Sequence, residues 1–266
     1  MSVRLDASLA ARGLARSRTH AAGLIADGLV TVNGVPVVKP SHRVGEDDAV
    51  AVAATDHYVS RGAHKLIHAL DGFEVPVAGR LALDMGASTG GFTQVLRERG
   101  ARRVLAVDVG HGQLAAPLRD DPAIAAVEGF NVRHMTPGSL AEATGEQGAP
   151  ELIVGDLSFI SLALVLPAVA AVAAPAADVV LLVKPQFEVG RTAVRGGLVT
   201  DAATRADALE RTLWSAWDVG LGTVGILPSP ILGTRGNAEY LVHLVPGGGA
   251  DPSEWRGTID RIAGGR

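Results

Sequence analysis

The chain carries 24 basic side chains, and only Lys39, Lys65 and Lys184 are lysines; the rest are arginines. Lys184 closes an apolar run in "LLVKPQFEVG" (181–190), and a proline follows at once. A lysine that is desolvated or set beside another cation can give up a proton, whereas an arginine cannot. Position 184 therefore has the chemistry of a base, or of a fixed donor that orients a hydroxyl. The plainer reading is a core lysine that snorkels to water or pairs with an acid. Lys65, in "SRGAHKL", can supply the neighbouring positive charge. Asp156 ends "LIVGD" and Glu239 sits in "GNAEYLV", both at strand edges, where carboxylates can orient the two lysines.

A second group of residues points to a ligand. "LALDMGASTGGFT" sets Gly86, Ala87, Ser88, Thr89, Gly90 and Gly91 directly after an apolar strand. In an open α/β sheet ligands bind beyond the carboxyl ends of strands, and small residues there let the backbone approach. No Gly-Lys-Ser/Thr follows, so this is not the phosphate loop of nucleotide hydrolases. Ser88 stands where a dinucleotide fingerprint requires its second glycine. Asp108 ends the next strand and suits the hydroxyls of a ribose, while Asp84 can act through water or a main-chain contact. An adenosine with a non-phosphate tail, S-adenosylmethionine, fits this set; a simple strand-to-helix turn is the bland alternative. Asn131 and Arg133 follow the third strand and either border the adenine or substrate or stabilise a loop. "SFIS" (158–161) reads as the cap of a helix, with Phe159 within reach of a target base. His64 and His68 are four apart, but no third ligand clusters with them, so no metal site is expected.

These residues need a scaffold. "RLALDMG", "RRVLAVDVG", "AIAAVEG", "ELIVGD", "DVVLLVKP", "GTVGILPSP" and "AEYLVHLVP" read as strands, separated by helical stretches such as "DAATRADALERTLWSAWDVG". Such alternation predicts an α/β fold with a mostly parallel, doubly wound sheet. Residues up to about 50 read as a separate unit of two helices, a hairpin turning at Asn33-Gly34, and one further short strand in "RVGEDDAVAV". Ser17 is the expected cap of the second helix. Up to Arg43 this unit holds six basic residues against Asp6 and Asp27. Arg4, Arg16, Arg18, Lys39 and Arg43 can track RNA phosphates, or form an ordinary solvated face. The whole chain, at 266 residues, 47% hydrophobic and net charge −4, can bury a large core and is not a uniformly basic coat. It has no cysteine, which excludes disulfides and thiolate chemistry and fits a cytoplasmic setting. The Arg- and Ala-rich start lacks the apolar core of a secretory signal and reads as a folded helix pair. "LALVLPAVAAVAAPAADVVLLV" (162–183) is interrupted by Pro167, Pro175 and Asp178, so a helix–turn–strand is expected there, not a membrane span.

At this point a family resemblance is visible. Lys65, Asp156, Lys184 and Glu239 match, in order and context, the Lys–Asp–Lys–Glu set of FtsJ-like ribose 2′-O-methyltransferases. "SRGAHKL", "DMGASTGGFT", "DLSFIS", "KPQFEVG" and "GNAEY" resemble the TlyA family of ribosomal RNA methyltransferases. "RLDASLAARGLARSR", "LIADGLVTVNG" and "VVKPS" resemble the RNA-binding domain first described in ribosomal protein S-four. The resemblance implies a Rossmann-like methyltransferase sheet behind a small α+β RNA-binding domain. The boundaries it implies are 1–55 for RNA binding, 56–63 for a linker and 64–266 for the methyltransferase. It implies methyl transfer from S-adenosylmethionine to a ribose 2′-hydroxyl of ribosomal RNA, with Lys184 as base or orienter and Lys65, Asp156 and Glu239 in support. The linker reads Asp56-His57-Tyr58-Val59, where some relatives carry an Arg-Ala-Trp-Val type of sequence. Two alternatives stand beside this reading: a non-catalytic RNA-binding or assembly protein on the same scaffold, and the membrane lysis suggested by the family's other label, hemolysin. The second lacks a convincing span or lytic helix.

Overall fold

The computed structural model describes residues 2–15, 17–26, 28–52, 57–190 and 196–264. The chain divides into two compact units: Met1–Tyr58 with Ile231–Asn237, and Val59–Pro230 with Ala238–Arg266. Arg16 and Asp56 lie outside the described residues.

The first unit runs β1 (Val3–Arg4), α1 (Leu5–Ala11), α2 (Arg18–Ala26), β2 (Val30–Val32), β3 (Val35–Pro36), β4 (Arg43–Val44) and β5 (Val50–Val52). Leu5 and Leu9 of α1 and Ala21, Leu24 and Ile25 of α2 close a core with Val30, Val32 and Val44. Ser17 Oγ accepts from His20 N at 3.1 Å, as the capping preference requires. Asn33 and Gly34 both take positive φ, 53° and 79°, which matches the right-handed strand twist in a two-residue hairpin. "RVGEDDAVAV" holds two strands, not one. β4 pairs with β1, and β5 pairs with β2, because Asp48 pins the acidic turn between them: its Oδ2 accepts from Gly45 N and its Oδ1 from the Asn33 side chain.

The second unit contains α3 (Gly62–Gly72), β6 (Leu81–Met85), α4 (Gly91–Glu98), β7 (Arg103–Asp108), α5 (Ala116–Arg119), β8 (Ile124–Glu128), α6 (Pro137–Thr144) and β9 (Leu152–Gly155). It continues with α7 (Leu166–Val172), β10 (Asp178–Val183), α8 (Pro185–Glu188), α9 (Ala202–Trp217), β11 (Leu221–Pro228), β12 (Tyr240–Pro246) and α10 (Arg256–Ala263). Its seven-stranded sheet has the order β11-β12-β10-β9-β6-β7-β8. The five strands from β10 to β8 are parallel, while β12 runs antiparallel to β10 and β11. β6 and β9 are buried throughout, as strands covered on both faces must be. The chain order reverses between β6 and β9. That topological switch opens a crevice at the strand ends, where Met85, Gly155 and Val183 all finish.

The apolar stretch 162–183 folds as α7, a turn and β10. Pro167 sits in the first turn of α7, where its missing N–H costs nothing. Among the described residues no helix is long and apolar enough to cross a membrane.

Candidate active site

Lys65 lies on the buried face of α3 with Ala63, Leu66, Ala69 and Leu70. A cation in that stripe needs partners, and it has two: Glu239 Oε2 at 2.7 Å and Asp156 Oδ2 at 3.3 Å. Asp156, one residue past β9, turns its other oxygen to Lys184 Nζ at 2.6 Å. Lys184, one residue past β10, also donates to Ser158 Oγ at 2.8 Å. The four residues form one chain of charge, Lys184–Asp156–Lys65–Glu239, in which two ammonium groups face two carboxylates. Lys65, Lys184 and Glu239 are buried. Burial alone would raise the Asp156 carboxyl, but Lys65 and Lys184 outweigh it and hold the group below its ordinary value. The two lysines are thus not a bare like-charge pair; Asp156 stands between them.

Beside this chain lies a cavity of about 540 Å³, within the range of small-molecule sites. Gly86, Ser88, Asp108, Asn131, Asp156 and Leu157 line it, together with Val107, Val109, Gln113, Phe130 and Val132, none of which was singled out in the sequence. Ser158, Phe159 and Ile160 complete the wall. Gln113 and Phe130 were invisible in the sequence because nothing in their spacing marks them; Gln113 is recognisable only through its contact with Ser88 Oγ at 3.2 Å. Asp108 accepts from Ser88 N at 2.8 Å and from Gly110 N at 2.7 Å, so one carboxylate shapes both loops. Each oxygen keeps a lone pair for a ribose hydroxyl. Gly86 has φ +79°, and a Cβ there would press on Leu157 Cδ2 at 3.0 Å. Gly90 has φ +102°, and a Cβ would collide with Leu118 and Leu114. Ala87, Thr89, Gly90 and Gly91 are not among the lining residues; the first three lie in the turn that carries Gly86 and Ser88, and Gly91 opens α4. Apolar walls, a carboxylate with free lone pairs and close backbone therefore fit S-adenosylmethionine, which Asp108, Ser88 and Gly86 would hold. Replacing Asp108 by Ala should weaken S-adenosylhomocysteine binding roughly tenfold or more, the worth of a charge-assisted hydrogen bond. Calorimetry would read it, and unchanged affinity would remove Asp108 from the site.

Asp84 is placed differently. Its side chain is 1% exposed and turned to α4, where Thr93 Oγ1 donates to Oδ2 at 2.6 Å; Oδ1 has no hydrogen-bond partner among the described residues. Burial pushes its carboxyl up to about 7 against the Thr93 hydrogen bonds, with Asp156 and Asp108 adding repulsion. An unfolded aspartate ionises near pH 4. Between about pH 4 and about pH 7 the native state therefore holds a proton that the unfolded state has released, and stability falls as pH rises through that window. Relative to Asp84→Asn, the native protein should lose on the order of 4 kcal/mol across it. Urea unfolding at pH 4.5 and 7.5 tests this; parallel behaviour of the two proteins would mean that the group is ionised throughout.

Asn131 serves two roles at once, since its Oδ1 accepts from Arg133 N at 3.1 Å to cap a 3-10 turn while the residue borders the cavity. Arg133 is exposed. Ser161, not Ser158, caps the turn Leu162–Leu164, by accepting from Ala163 N. In the first unit, Arg4 and Arg18 share the buried Asp6 at 2.8 and 3.3 Å, and the Arg4 hydrogen bond first among its partners holds that carboxyl down to about 2. Both guanidinium groups remain open to solvent, as do Lys39 and Arg43. Among the described residues no cluster could hold a metal ion, and His64 and His68 do not form one.

Residues 58–245 match the FtsJ-like methyltransferase model and residues 3–50 match the S4 domain model. The fold and the site thus define an S-adenosylmethionine-dependent methyltransferase joined to an S4 domain. The 16S/23S rRNA (cytidine-2′-O)-methyltransferase TlyA of Mycobacterium tuberculosis is 50% identical over 244 residues, spanning 91% of this chain and 89% of that protein. Hemolysin A of Brachyspira hyodysenteriae is 37% identical, over 91% of this chain and all of that one (100%). A solved structure from Streptococcus thermophilus, described as a hemolysin, superimposes with a TM-score of 0.75 at 36% identity, covering 98% of this chain and 95% of that one. The chain belongs to the TlyA family of ribosomal RNA methyltransferases.

Proposed function

We propose that the protein methylates the ribose 2′-hydroxyl of a cytidine in small-subunit or large-subunit ribosomal RNA, or in both. The observation that carries this is the charge chain Lys184–Asp156–Lys65–Glu239 at the edge of the cavity. S-adenosylmethionine supplies the methyl carbon as an electrophile. Lys184 faces the hydroxyl. As an ammonium Lys184 has three N–H donors and no lone pair; to act as a base it must first release a proton, which leaves two donors and one lone pair. Ser158 Oγ takes one hydrogen-bonding direction of Nζ and Asp156 Oδ1 pairs with it by charge on another side, and the incoming hydroxyl takes a direction that remains. As a base Lys184 takes the hydroxyl proton as the oxygen gains the methyl group and S-adenosylhomocysteine leaves; as an orienter it holds the oxygen in line and the proton passes to water. Asp156 fixes its position, and Lys65, pinned by Glu239, fixes Asp156. Residues 1–55 grip the RNA through exposed arginines, 56–63 join the parts and 64–266 carry the chemistry, in the cytoplasm where ribosomal subunits are found. The test is to incubate subunits from cells lacking the gene with the protein and labelled S-adenosylmethionine, and to map the modified positions. Label in a cytidine ribose is the expected result. RNA binding without any label would leave a non-catalytic assembly protein instead.

A further inference from the structure

Lys184 and α8, which starts directly after it, hold the segment 158–162 at three places. Lys184 Nζ donates to Ser158 Oγ at 2.8 Å. The Phe187 ring packs on the Phe159 ring, centroids 5.3 Å apart. Glu188 makes the third attachment: its Oε2 accepts from Ser161 Oγ at 2.5 Å and its Oε1 from Leu162 N at 2.9 Å. Leu157, Ser158, Phe159 and Ile160 are also a wall of the cavity.

This segment is not at rest by itself. Phe159 has φ +65° and is 91% exposed. Left-handed backbone is unfavourable for a bulky residue and persists only where the surroundings over-determine it. An exposed ring packed on one neighbour cannot supply that constraint. The Glu188 carboxylate can, because it binds two successive residues just beyond the strained one, and charge-assisted hydrogen bonds are the strong kind. Without it, Leu162 N–H and the Ser161 hydroxyl lose their acceptor and the segment can relax toward ordinary φ. Ser158 would then leave Lys184.

We propose that Glu188 is a positioning residue for methyl transfer: its carboxylate clasps Ser161 and Leu162 so that Ser158 keeps occupying one of the hydrogen-bonding directions of Lys184. The inference rests on the reading of Lys184 as the residue that faces the hydroxyl. Glu188 touches neither substrate nor cofactor in this scheme, and it acts only through the segment.

The test uses the full chain and unmethylated ribosomal subunits. Glu188→Ala should slow single-turnover methylation on the order of tenfold to a hundredfold, the scale of a small misplacement of a reacting group. Hydrogen exchange at the Leu162 amide should quicken in the same variant. Glu188→Gln should restore the rate to within a few-fold, since its amide oxygen can still accept from Leu162 N and its N–H can donate to Ser161 Oγ. Ser161→Ala, a smaller change should Glu188→Ala fold poorly, should fall between them. In a Ser158→Ala background Glu188→Ala should cost nothing further, because both act on one contact. Glu188→Ala at full rate while Lys184→Ala is inactive overturns the clasp and leaves the Lys184 reading standing. Equal losses in Gln and Ala, or additive losses with Ser158→Ala, overturn it as well. Lys184→Ala at full rate sinks the Lys184 reading itself, and the clasp's catalytic role with it.

Discussion

Lys184→Arg abolishes methylation almost as completely as Lys184→Ala: this is the largest effect expected of any single change. Arginine keeps the positive charge but holds its proton at every working pH, and its planar fork differs in shape from an ammonium. In the site Lys184 Nζ fits between Asp156 Oδ1 at 2.6 Å and Ser158 Oγ at 2.8 Å, with the side chain buried. A guanidinium cannot place one nitrogen between those oxygens and still leave an open direction toward a hydroxyl. Proton transfer by a positioned group contributes roughly a hundredfold or more. Single-turnover rates on ribosomal substrate, measured from pH 6 to 9, read the loss. Near-normal rates for Lys184→Arg across that range would reduce the lysine to a fixed charge and end the base reading. S-adenosylhomocysteine affinity should stay close to that of the unaltered protein, because the residues that fit the cofactor lie on the β6 and β7 loops.

Asp156→Asn should be nearly as damaging, and by a different route. The carboxylate is shared by Lys65 and Lys184, one on each oxygen. An amide of the same shape can accept from one lysine only and points an N–H₂ at the other. Two buried cations would then face Glu239 alone. Removing one partner of a buried pair costs about 3 kcal/mol or more, and the low end applies here because a fifth of the Asp156 side chain is exposed, at 21%. Methylation should fall a hundredfold or more, together with the melting temperature. The sign with pH is fixed by the lowered carboxyl of Asp156. Its contribution is fully present above the unfolded value near pH 4 and is lost as pH falls through the still lower native value. The stability gap between the two proteins should therefore be constant from pH 5 upward and close only in strong acid. A gap that instead opens with rising pH above 5 would show that the pairing is not the source.

Much of this was legible in residue order. The alternation of apolar strands with helical periods determines a doubly wound sheet, because a strand buried on both faces and a helix buried on one need different repeats. Asn33-Gly34 determines a hairpin and Ser17 a helix start, since both act through backbone geometry within four residues. The four charged residues stand out because apolar strands and helix faces do not need a charge there for folding, and the glycine loop and Asp108 because they follow directly on apolar strands, where an open sheet binds its ligands.

What the sequence could not decide is who touches whom. Lys65 and Glu239 are 174 positions apart and Lys65 and Asp156 are 91 apart, and they meet only in the folded chain, where Asp156 follows β9, Lys184 follows β10 and Glu239 precedes β12, three neighbouring strands of the sheet. Asp84 and Asp156 each stand at or just beyond the end of a core strand, yet one turns to Thr93 in a closed core and the other to two lysines. Strand register decides that, and register is a property of the assembled sheet. Gln113 and Phe130 join the cavity through loop geometry alone. Side-chain identity and local spacing determined the chemistry available to this protein; the order of strands around the switch point decided which oxygen each lysine would meet, because distance between charges is set by packing and not by position in the chain.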